Sequence, residues 1–350
     1  MKYSQFIPEL IETARKIATP GKGILAADES LNTIGSRFSK ISLENSYANR
    51  EAYRSMLFTA PNLSKYISGV IQFDETLSNK LPSGESLQNV LSRNSIFTGI
   101  KVDKGLNLLS TEEPITLGLD GLDERCQSYY KQGIRFAKWR AVLKISDKFP
   151  SNLAVLSNAD SLAKYALICQ RNGLVPIVEP EVLAEGNHDI EKCAEVSRAV
   201  YSEVFNSLCK HGVLLEGILL KPNMITSGMN SEKKVKSDVV AEKTVETLAR
   251  TVPPAVPGIM FLSGGQSEEE SSLNLNAINV ASKYIKPWTL SFSYGRALQN
   301  SSLKAWGGKN IREGHEALLK RAAANANASL GKYQIESNQG ESLHIANYTY

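Results

Sequence analysis

The sequence predicts an α/β chain closed into one (β/α)8 barrel of the TIM type, and three observations predict it. Eight short apolar or β-branched runs bounded by turn residues recur along the chain, their starts about 30–45 residues apart. Helical periodicity falls in the gaps, as parallel crossovers require. No G-x-G-x-x-G follows an early strand and no linker marks a second domain, which argues against an open doubly wound sheet.

The elements follow in order. Phe6, Leu10, Ala14 and Ile17 are spaced like one helix face, so 1–22 is read as an N-terminal helical segment. The barrel is expected over 23–310, with strands over 23–27, 67–73, 98–102, 136–143, 175–179, 217–220, 258–262 and 289–293. Helices are expected over 160–172, 190–210, 238–251 and 273–284. A C-terminal helix takes up 311–332, its periodicity ending before Gly331 as a C-cap. The polar stretch 333–350 has little periodicity and is expected to be a mobile tail. Residues 1–350 are read as a single domain.

Composition narrows the function. The 350 residues are 42% hydrophobic and 22% charged, ordinary for a globular protein. No apolar run approaches the roughly 18 residues that span a bilayer. The first residues lack the apolar centre of a secretory signal. The four cysteines are scattered without a C-x-x-C pair, so a reduced, cytoplasmic protein is expected, a mature organellar form remaining open. A net charge of +4 is too mild and dispersed for nucleic acid. His188, His211, His315 and His344 show no ligand spacing, so neither metal nor cofactor is expected.

Chemistry gathers at the strand ends. Gly217-Ile-Leu-Leu-Lys221 reads as a buried strand ending in one amine. Burial and a nearby cation favour the neutral amine, which attacks carbonyl carbons to give a Schiff base. A snorkelling surface lysine is the dull alternative. Asp28 follows the first strand. Lys101 and Asp103, Lys138 and Arg140, and Glu179 and Glu181 are each two apart, so each pair shares a face. Burying so many charges for packing alone is costly, whereas catalytic groups of this fold do sit at these ends. Ser263-Gly264-Gly265-Gln266 and Ser293-Tyr294-Gly295-Arg296 follow the last two strands, the frequent phosphate site of such barrels. Ser30 and Thr33 at a helix start, with Arg37, Lys101 and Arg140, form a second anion-site candidate, with plain N-capping as the alternative.

These pieces resemble the class I fructose-1,6-bisphosphate aldolases. The matching words are GKGILAADES (21–30), GIKVDKG (99–105), YYKQGIRFAKWR (129–140), NGLVPIVEPE (172–181), EGILLKPNM (216–224), VPPAVPGIMFLSGGQ (252–266) and FSYGRALQNSSLKAWGG (292–308). The resemblance implies a metal-independent, homotetrameric barrel enzyme acting on a phosphorylated sugar. It also implies an additional capacity to bind cytoskeletal proteins. The Schiff-base lysine would be Lys221 and the acid/base Glu179, with Glu181, Lys138 and Asp28 beside them. Lys138 is expected to help hold Lys221 uncharged. Ser263, Gly264, Gly265, Gly295 and Arg296 would grip the carbon-1 phosphate. Ser30, Thr33, Arg37, Lys101 and Arg140 would grip the carbon-6 phosphate, and terminal Tyr350 would protonate carbon 3. Leu31-Asn32 departs from the usual Thr-Gly, and 81–97 and 336–347 match family words poorly. Other Schiff-base barrels, such as transaldolase or deoxyribose-phosphate aldolase, and a barrel kept for binding alone, stay open on the residues.

Overall fold

The computed structural model describes residues 4–110, 112–148 and 150–334. The strands are β1 (Gly23–Ala27), β2 (Ile67–Gln72), β3 (Phe97–Lys101), β4 (Leu106–Leu108), β5 (Pro114–Thr116), β6 (Phe136–Leu143), β7 (Val175–Val182), β8 (Leu219–Leu220), β9 (Gly258–Phe261) and β10 (Thr289–Tyr294). Eight of them close in the order β1-β2-β3-β6-β7-β8-β9-β10, with β10 returning to β1. Every pair in that ring is parallel. β4 and β5 form a separate antiparallel hairpin after β3.

The helices are α1 (Ile7–Ile17), α2 (Leu31–Ser39), α3 (Tyr47–Phe58), α4 (Leu87–Arg93), α5 (Leu122–Lys131), α6 (Asn152–Arg171), α7 (Ile190–Lys210), α8 (Ser237–Thr251), α9 (Glu268–Val280), α10 (Arg296–Trp306) and α11 (Ile311–Ser329). Two expected starts were too late. Ser151 caps α6, its hydroxyl accepting from Ala154 N at 3.2 Å, so the helix begins eight residues before position 160. A capping box of Ser267 and Glu270 starts α9 at Glu268 instead of 273. Gly331 does take a left-handed φ of 69° just past α11. No described helix is long and apolar enough to cross a membrane. Residues 335–350, Tyr350 included, lie outside the described residues.

Strand alternation sorts side chains between the barrel interior and the helical layer. Ile24, Ala26, Ile71, Phe136, Val175, Ile177, Leu219 and Met260 pack together inside, over Leu10, Ala14 and Ile17 of α1. Phe136 fits only because its neighbours lack side chains: a Cβ on Gly99 would lie 2.1 Å from its ring, and one on Gly69 3.1 Å. Gly99→Ala is therefore expected to destabilise the barrel by about 1–3 kcal/mol through overpacking, read as a lower urea midpoint.

β7 carries two prolines, and they explain why β8 is only two residues long. Lys221 N donates to Val178 O at 2.8 Å, so Val178 turns its backbone towards β8. Alternation turns Pro176 and Pro180 the same way, and neither has an N–H to give. A 3₁₀ turn at Leu215–Gly217 takes up the start of the strand expected over 217–220. The ladder beside Lys221 is correspondingly sparse.

Candidate active site

Asp28 leaves the end of β1, Lys138 and Arg140 lie on β6, Glu179 and Glu181 on β7, and Lys221 directly follows β8. The inward register that holds Phe136 and Ile177 brings Lys138 and Glu179 inward two residues further on. Asp28, Lys138, Glu179 and Lys221 are all at least 98% buried. They form one chain of alternating charge. Lys138 Nζ lies 3.0 Å from Asp28 Oδ2 and 3.3 Å from Glu179 Oε2. Lys221 Nζ lies 3.2 Å from Glu179 Oε1. The two lysines thus meet on opposite oxygens of one carboxylate.

Electrostatics keep both acids ionised. Burial, the largest influence on Glu179, pushes its carboxyl up, but Lys138, Lys221 and Arg140 together hold it below the ordinary value. Asp28 follows the same pattern, burial opposing Lys138, Lys221 and Lys101, with the amines prevailing. Glu29 is also held low against burial, by Arg54 and Arg37. A carboxylate with a depressed folded-state pKa stabilises the fold above its unfolded pKa and loses that contribution as pH falls through the folded value. Stability to urea is therefore expected to be flat near neutrality and to fall steeply below about pH 4.

The remaining predicted cations are already partnered. Lys101 Nζ donates to Asp103 Oδ1 at 2.6 Å, and Arg140 pairs with Glu181. Thr116 Oγ1, from the β4–β5 hairpin, donates to Arg140 O at 2.6 Å and ties the hairpin to the strand that carries this arginine. Arg37 and Arg54 grip the two oxygens of Glu29, each at 2.5 Å. Ser30 is the N-cap of α2: its Oγ accepts from Thr33 N at 3.4 Å and lies 3.1 Å from Thr33 Oγ1.

Two loops follow β9 and β10. Gly264 and Gly265, next to Ser263, have left-handed φ of 52° and 85°, a turn few other residues tolerate. Gln266 closes the turn, its N–H donating to Ser263 O at 3.0 Å. A Cβ on Gly295 would lie at ordinary contact distance from Ala26 O (3.4 Å) and Arg37 Nη2 (3.5 Å), so Arg37 packs directly against this loop. Arg37, which the resemblance assigns to the carbon-6 phosphate, lines the same pocket as Arg296, which the resemblance assigns to the carbon-1 phosphate.

Glu29 and Arg54 were missed by the sequence reading, and Ser293 was read only as part of the Ser293–Arg296 turn without a role of its own. Ser293, next to last in β10 and paired with Ile24, is 1% exposed, and its Oγ has no hydrogen-bond partner among the described residues. Its period-two match with Gly295 was the available signal. Glu29 and Arg54 gave none, since their pairing joins β1's end to α3 across 25 residues.

Fold and mouth together define a (β/α)8 barrel with a buried lysine–carboxylate chain, flanked by glycine-turned loops. The family profile described as fructose-bisphosphate aldolase class-I (Glycolytic) matches residues 9–350. The chain is 56% identical over 350 residues to fructose-bisphosphate aldolase 4, cytosolic, of Arabidopsis thaliana, covering 98% of this chain and 89% of that protein. It is likewise 56% identical over 353 residues to the cytoplasmic isozyme of Spinacia oleracea, covering 99% and 98%. A crystal structure of fructose-bisphosphate aldolase from Plasmodium falciparum, in complex with TRAP and a small-molecule inhibitor, superposes with a TM-score of 0.93 at 53% identity, covering 96% of this chain and 99% of that one. The chain belongs to the class I fructose-bisphosphate aldolase family.

Proposed function

We propose that this chain reversibly cleaves fructose 1,6-bisphosphate to dihydroxyacetone phosphate and glyceraldehyde 3-phosphate through a Schiff base on Lys221. The observation that supports it most is Glu179, 3.2 Å from Lys221 Nζ and 3.3 Å from Lys138 Nζ. Glu179 takes a proton from Lys221, and the freed amine attacks carbon 2. The same carboxyl returns the proton as water leaves the carbinolamine, and Lys138 holds Glu179 in place. Asp28 removes the proton from the carbon-4 hydroxyl. The bond between carbons 3 and 4 breaks, and its electron pair passes into the iminium to give an enamine. Glyceraldehyde 3-phosphate departs. Protonation at carbon 3, assigned to Tyr350 by family resemblance, and hydrolysis free the second product and the lysine.

Ser263, Gly264, Gly265, Gly295 and Arg296 take the carbon-1 phosphate in this reading, and Ser293 adds its hydroxyl. Ser30, Thr33, Arg37, Lys101 and Arg140 take the other phosphate. Their carboxylate partners leave donors to spare, since a guanidinium carries five N–H groups and an ammonium three. Holding both ends spends binding energy on orientation. The enzyme acts in the cytoplasm, as the names of its plant relatives state for them, and assembles as a homotetramer without metal or cofactor. By the Plasmodium complex and family resemblance, it also binds other proteins, cytoskeletal ones included.

A coupled assay for triose phosphate tests the activity. Cleavage should persist in EDTA and be faster on the bisphosphate than on fructose 1-phosphate. Loss in chelator would reject the Schiff-base reading, and equal rates would favour a barrel with a single phosphate grip.

A further inference from the structure

Lys221 must face Glu179 with little ladder to hold it there, because Pro176 and Pro180 have no N–H to donate to β8. One backbone bond remains at the lysine itself, Lys221 N to Val178 O at 2.8 Å. The next donor on that edge of β7 after Pro180 is Val182 N. It finds no strand beyond β8 and donates instead to Asn223 Oδ1 at 3.0 Å. Asn223 lies two residues past Lys221, in the Lys221-Pro-Asn-Met segment of the sequence. A backbone N–H can only face the carbonyl oxygen of the carboxamide, so the orientation of Asn223 is determined by its partners. Tyr201 of α7, fully buried, donates its hydroxyl to the same oxygen at 2.8 Å. Asn223 Nδ2 donates to Met224 O at 3.2 Å, which satisfies the other half of the group. From the far side, Leu262 N, leading into the Ser263–Gly265 loop, donates to Pro222 O at 3.1 Å.

We propose that Asn223 is a positioning residue that sets the separation of Lys221 from Glu179 by continuing the β7–β8 ladder where proline interrupts it. The carboxamide touches neither substrate nor the reacting amine. It fixes the Lys221–Pro222–Asn223 backbone against the strand that carries Glu179, and Tyr201 fixes the carboxamide. The inference rests on the Schiff-base reading above.

The test uses the full-length enzyme, with Asn223→Leu and Tyr201→Phe. Leucine keeps the volume and removes the acceptor. Asn223→Leu should lower kcat and the rate of borohydride trapping with dihydroxyacetone phosphate by about 10- to 100-fold, the equivalent of one buried hydrogen bond, while KM stays within about threefold. Tyr201→Phe keeps the bond from Val182 and should slow the same step by about three- to tenfold. It decides the matter if the leucine variant does not fold. A merely structural role would lower thermal stability and leave the trapping rate of the folded enzyme unchanged. Trapping at the wild-type rate in a folded Asn223→Leu, or in Tyr201→Phe where the first does not fold, overturns the inference and leaves Lys221 chemistry standing. A wild-type enzyme that takes no label on Lys221 overturns both.

Discussion

Lys221→Arg is expected to lower cleavage of fructose 1,6-bisphosphate by at least about four orders of magnitude in a chain that still folds. The substitution keeps a cation beside Glu179, so the charge chain Asp28–Lys138–Glu179–residue 221 stays balanced. What it removes is the free amine, because a guanidinium does not deprotonate in proteins. Positioning, phosphate binding and the other ionised groups remain, so the loss measures covalent catalysis alone. Steady-state turnover by the triose-phosphate assay, with circular dichroism to confirm folding, reads it. Retention of more than about one-hundredth of the activity would place the nucleophile elsewhere.

Glu179→Gln should have the next largest effect, lowering kcat by about 10²- to 10⁴-fold with a KM close to wild type. Glutamine keeps the shape and can still accept a hydrogen bond, but it cannot take the proton from Lys221 or return it. Stability should fall as well. Glu179→Gln breaks the buried pairs that Glu179 makes with Lys138 and Lys221, and removing one partner of a buried pair costs about 3–5 kcal/mol. A single-turnover experiment separates the effects: formation of the Schiff base should be slowed, and substrate affinity should not. Unchanged Schiff-base formation would assign the proton transfers to another group, with Lys138 and Asp28 the nearest.

The barrel was legible because its strands are short, apolar and evenly spaced, and β1, β6 and α7 have the bounds their patterns predicted. Where local signals compete, the boundaries moved. Ser151 and Ser267 are caps that periodicity alone passes over, so α6 and α9 begin earlier than expected. The site was legible in part for the same reason that strands are. A two-residue period carries Lys138 with Arg140 and Glu179 with Glu181, whatever the tertiary detail.

Pairing across elements leaves no such period. Arg54 on α3 and Glu29 after β1 meet only in the folded chain, as do Tyr201 and Asn223. Arg37 lining a pocket with Arg296 is a consequence of barrel closure between β1 and β10, and no local motif encodes it. The two prolines of β7 were visible throughout, but their effect on β8 depends on which neighbour each residue faces.

The most direct measurement is to reduce the enzyme with borohydride in the presence of dihydroxyacetone phosphate and map the modified peptide by mass. One adduct per chain, on Lys221, is the expected result. An adduct on Lys138 or any other lysine, or none at all from an active enzyme, would contradict it.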